Sequence, residues 1–209
     1  MKIKTQPLLG AAAFGVFLLM LYYLVSAVIS YRMVQNLLAS GMFDPAMLNS
    51  PNPPIELAND PIEFMLGISS ENLAIFSALA GLATCLVWLG AGVGSGAIYA
   101  ALHHRQEPLI ETPISGGAVA GALAYVIGTL LGSLVSMIAF VPLWQETTRL
   151  FTTLSQQSGG MPPGMPAQMI TIWGISIVMG LLCSTLFWGG MGAVMGALGS
   201  AVGKAIVTR

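Results

Sequence analysis

Hydrophobic positions fall into four long blocks, and the charges and prolines gather in the stretches between them. No Asp, Glu, Lys or Arg lies between Thr5 and Tyr31, between Asn72 and Leu102, or between Thr112 and Gln145. Each block exceeds the roughly 20 apolar residues that cross about 30 Å of hydrocarbon as a helix. A fourth uncharged block runs from Leu150 to Gly203, but its first third is polar and rich in proline. The strict apolar/polar alternation of a membrane β-barrel is absent. In lipid a backbone must satisfy its own hydrogen bonds, so these blocks are expected to be helices. The expected fold is an all-α integral membrane protein with four transmembrane helices, at about 8–30, 72–102, 113–143 and 169–203.

The segments between the blocks set the layout. Val34, Leu37 and Leu38 keep a helical spacing beyond Tyr31, so the first helix is expected to continue toward Met42. Pro45, Pro51, Pro53, Pro54 and Pro61 then forbid a long regular helix. The stretch from Glu146 to Gln157 is expected to extend the third helix, and Ser158 to Pro166 reads as a turn rich in Gly, Pro and Met. With the N-terminus in the cytoplasm, Lys2, Lys4, Arg105, Lys204 and Arg209 lie inside and only Arg32 and Arg149 outside. That bias follows the positive-inside rule, with Trp144 and Trp173 as interfacial aromatics. Both termini are expected to be cytoplasmic, in a prokaryotic cytoplasmic membrane, with 31–70 and 144–168 external. The apolar run from Leu8 to Ile29 is longer than the apolar core of a signal peptide, so it reads as a retained anchor helix.

The second and fourth blocks resemble each other at a fixed offset. Leu82, Leu86, Trp88, Gly90, Gly92, Gly96 and Ala97 match Leu182, Leu186, Trp188, Gly190, Gly192, Gly196 and Ala197. Trp88, Gly92 and Gly96 share one helix face at i+4 steps, as do Trp188, Gly192, Gly196 and Ser200. Small residues at this spacing let membrane helices approach closely. The third block repeats the device with Gly117/Gly121 and Gly128/Gly132, and the first with Ala11/Gly15. These residues form the expected helix-packing site. The chain is thus expected to be two transmembrane hairpins, 1–100 and 101–209, related as a parallel repeat about an axis along the membrane normal.

Composition narrows the function classes. Hydrophobic residues make up 56% and charged residues 7%, against roughly 25% charged in a soluble domain. A net charge of −1 offers no basic field for nucleic acid. Cys85 and Cys183 fall inside spans with no metal-ligand spacing, and are expected to be buried free thiols acting as packing residues. No span carries an ionisable residue near its centre, which disfavours proton-coupled transport by a membrane carboxylate. His103 and His104 close the second block. They are expected to form a polar interfacial cap with Arg105; the alternative is axial ligation of a haem or chlorophyll-type pigment. No hydrolase elbow, phosphate-binding glycine loop or zincin helix is present, so catalysis is not expected and no metal site is assigned. The expected function is a non-catalytic accessory or scaffold subunit that packs into a larger membrane assembly through its glycine-rich faces. The expected partners are the lipid bilayer and other membrane subunits, with a homo-oligomer as another form. The alternatives are a small oligomeric transporter or channel, and a pigment- or haem-binding subunit.

Overall fold

A computed structural model of the chain describes residues 5–39, 70–106, 113–157 and 165–207. They form four α-helices: α1 (Thr5–Ala39), α2 (Ser70–Gln106), α3 (Ile114–Gln157) and α4 (Met165–Val207). No strand occurs among the described residues. All four helices are long and apolar enough to span a membrane, over Thr5–Asn36, Ile75–Gln106, Ile114–Arg149 and Met179–Val207. The protein is an all-α integral membrane protein with four such helices.

The helices run 35, 37, 44 and 43 residues. At about 1.5 Å per residue, all exceed the roughly 30 Å hydrocarbon layer. The continuation of the first block past Tyr31 is helical as far as Ala39, and the extension from Glu146 reaches Gln157. The proline-rich stretch from Pro45 to Pro61 and the turn before Met165 lie outside the described residues. Prolines inside the helices mostly occupy places where no hydrogen bond is lost: Pro7 and Pro166 sit in the first turns of α1 and α4. Pro142 is the exception, inside α3, where it deprives the carbonyl one turn earlier of its donor.

By its contacts the chain divides into two compact units. The first combines Met1–Leu24, Leu82–Leu134 and Ser176–Arg209, and the second Val25–Gly81 and Val135–Ile175. Within the first unit the contacts fix helix directions. Gly10 lies against Leu102, Gly94 against Phe14, and Thr84 Oγ1 donates to Tyr22 Oη at 3.3 Å, so α1 and α2 are antiparallel. Leu19 meets Gly128 and Tyr23 meets Gly132, so α1 and α3 run the same way. Val93 meets Gly199 and Ala97 meets Gly203, which makes α2 and α4 parallel. The unit is therefore an up–down–up–down four-helix bundle.

Its interior holds two small clusters. Leu19, Ala91, Ala124 and Tyr125 are flanked by Leu18, Trp88 and Trp188. Ala11, Tyr99 and Ala120 are flanked by Leu8 and Ile98. Outward positions are also apolar: Leu82, Leu86, Leu182 and Leu186 are all well exposed. A water-soluble bundle inverts that arrangement, whereas hydrocarbon solvates it. In the second unit, Ala27, Val34 and Ala139 are buried. There Thr147 and Thr148 return their hydroxyls to the carbonyls of Leu143 and Trp144, at 2.7 and 2.8 Å, and Arg149 pairs with Glu146 at 3.6 Å.

Candidate functional site

The densest packing in the first unit is a crossing of α2, α3 and α4 built from glycine. A Cβ placed on Gly96 would strike the Gly196 carbonyl oxygen and stand 2.7 Å from the Ser200 nitrogen. One on Gly121 would strike the Gly192 oxygen and stand 2.9 Å from Gly196 Cα. One on Gly196 would strike the Gly117 oxygen and stand 3.0 Å from Gly121 Cα. One on Gly117 would strike Ser200 Cβ and stand 2.7 Å from the Gly196 oxygen. Three helices thus touch backbone to backbone, with no room for a methyl group. At this range dispersion and weak Cα–H···O contacts hold helices that lipid gives no hydrophobic reason to associate.

The remaining glycines of the expected site are placed differently. A Cβ on Gly92 would stand 2.5 Å from Met195 Cβ and 3.3 Å from the Tyr125 ring. Gly128 and Gly132 lie on the side of α3 that receives α1, where Leu19 and Tyr23 fill the space their missing side chains leave. Two glycine pairs on one helix therefore admit two different neighbours. By contrast Gly81, Gly180 and Gly190 have nothing within 4 Å of a would-be Cβ. Sequence reasoning left out further glycines under a similar constraint. A Cβ on Gly199 would strike the Val93 carbonyl, one on Gly116 the Tyr99 ring, and one on Gly203 would stand 3.0 Å from Ala97 Cα. The i+4 spacing of Gly199 and Gly203 was the available signal for that pair.

Aromatic rings close one side of the crossing. Trp88 and Trp188 pack with centroids 4.2 Å apart at 33°. Tyr125 stands edge-on to Trp88 at 5.1 Å, and its hydroxyl donates to the Trp88 carbonyl. Tyr22 and Tyr23 approach Trp88 from α1, each at 6.4 Å. Pairs of this geometry contribute about 0.5–1.5 kcal/mol beyond the area they bury.

The polar residues depart from expectation in two places. His103, expected in an interfacial cap, is 2% exposed, and its ring packs 5.9 Å from that of Tyr99. The cap reading fits His104 and Arg105, which are half-buried and exposed in the last turn of α2. Cys85 and Cys183 are free, as expected, yet both are exposed instead of buried. Their helix faces point away from the packed interior, and a thiol is apolar enough to suit lipid. Ser95 satisfies its buried hydroxyl by donating to the Ala91 carbonyl at 2.6 Å, while His103 Nδ1 and Ser200 Oγ are buried without a hydrogen-bond partner. Among the described residues no three His, Cys, Asp or Glu side chains come together. In comparisons with known proteins, no family model, curated protein or solved structure matches the chain.

Proposed function

We propose that the chain is a non-catalytic, membrane-embedded accessory or scaffold subunit of a larger membrane assembly. One observation carries this reading. The glycine crossing at Gly96, Gly117, Gly121, Gly192 and Gly196 is closed within the chain, leaving large apolar side chains as the outward surface of the first unit. The glycine faces therefore serve the chain's own packing. Partner contact falls instead to outward faces such as that of α4, where Gly190 opens a notch between Leu186 and Val194, 77% and 57% exposed. Extraction in mild detergent, followed by size-exclusion chromatography and mass spectrometry, is the test. A chain that purifies alone, with no stoichiometric companion, removes this reading.

The same proposal includes the two-hairpin repeat, 1–100 and 101–209. Its support is that equivalent positions meet: Trp88 packs on Trp188, and Gly96 lies against Gly196. An axis running between parallel helices α2 and α4 would bring such pairs together. Both termini are assigned to the cytoplasm of a prokaryotic cell, on the Lys/Arg bias.

A second reading, a small oligomeric transporter or channel, draws on the unpartnered buried atoms His103 Nδ1 and Ser200 Oγ. In hydrocarbon such groups call for water or another polar partner. Proteoliposomes that show no flux across a broad panel of ions and small solutes dispose of it. Haem or pigment ligation by His103 would require the packing against Tyr99 to open, and an absorption spectrum without bands above the aromatic region ends that alternative.

A further inference from the structure

We draw no further inference here: the strongest candidate, the buried polar side chains of His103 in the last turn of α2 and Ser200 in α4, belongs to the site already described, and nothing in the structure brings the two to one ligand.

Discussion

At the scale of single residues, the glycines divide by what a methyl group would meet. Gly96→Ala forces a Cβ onto a carbonyl oxygen of α4. Overpacking costs about 1–3 kcal/mol even where side chains can yield, and here a backbone must move. Gly190→Ala adds its methyl to open space and should stay within about 0.5 kcal/mol of the parent. Thermal unfolding in one detergent should rank the two far apart, and equal midpoints would refute the close crossing. His103 gives a prediction of opposite sign. Its Nδ1 is buried without a partner, and exchanging an unsatisfied polar group for an apolar one of similar bulk is close to neutral or favourable. His103→Leu is therefore expected to unfold at the parent's temperature or above it. A lower midpoint would mean that the imidazole has a partner worth keeping.

At the scale of helices, the four blocks and their extensions were legible because a charge-free run of this length has one solution in lipid. The continuation to Ala39 followed from Val34 and Leu38, and the expected extension from Glu146 reaches Gln157. Less legible was which face of each helix turns inward. Lipid and protein interior are both apolar, so Leu86 and Leu19 look alike in sequence, yet one is exposed and the other fully buried. Cys85 and Cys183 were misplaced for the same reason. Only glycine spacing carries facial information, and it marks a close approach without naming the neighbour; Gly117/Gly121 and Gly128/Gly132 read identically but receive α4 and α1. The cysteine placement can be checked by labelling in bilayers. An apolar maleimide should modify both exposed thiols, and a charged, membrane-impermeant reagent should modify neither. Protection of both from the apolar reagent would restore the buried reading.

At the scale of the whole molecule, the sidedness of insertion is set by few charges. Moving five basic residues to the other face against two would oppose the insertion bias. A reporter fused after Arg209 should therefore be active only on the cytoplasmic side, as should one fused before Met1. Activity of either on the outer face would reverse the assignment of 31–70 and 144–168 as external. His103 was placed at the correct end of its helix by sequence and given the wrong surroundings. What enclosed it was Tyr99, one turn earlier, and no pattern of polarity marks a tyrosine as buried.

The backbone contact among α2, α3 and α4 also bears on how this chain can change over generations. Every single-base replacement of a glycine codon that alters the residue adds at least a Cβ. At Gly96, Gly117, Gly121, Gly192 and Gly196 that atom has nowhere to go, so these codons admit silent changes alone. Gly81 and Gly180, with open space around them, are free to drift. Descendants of this gene should differ along the outward faces that meet only lipid, while these five positions stay fixed. A relative too diverged to align elsewhere would still betray itself by that spacing.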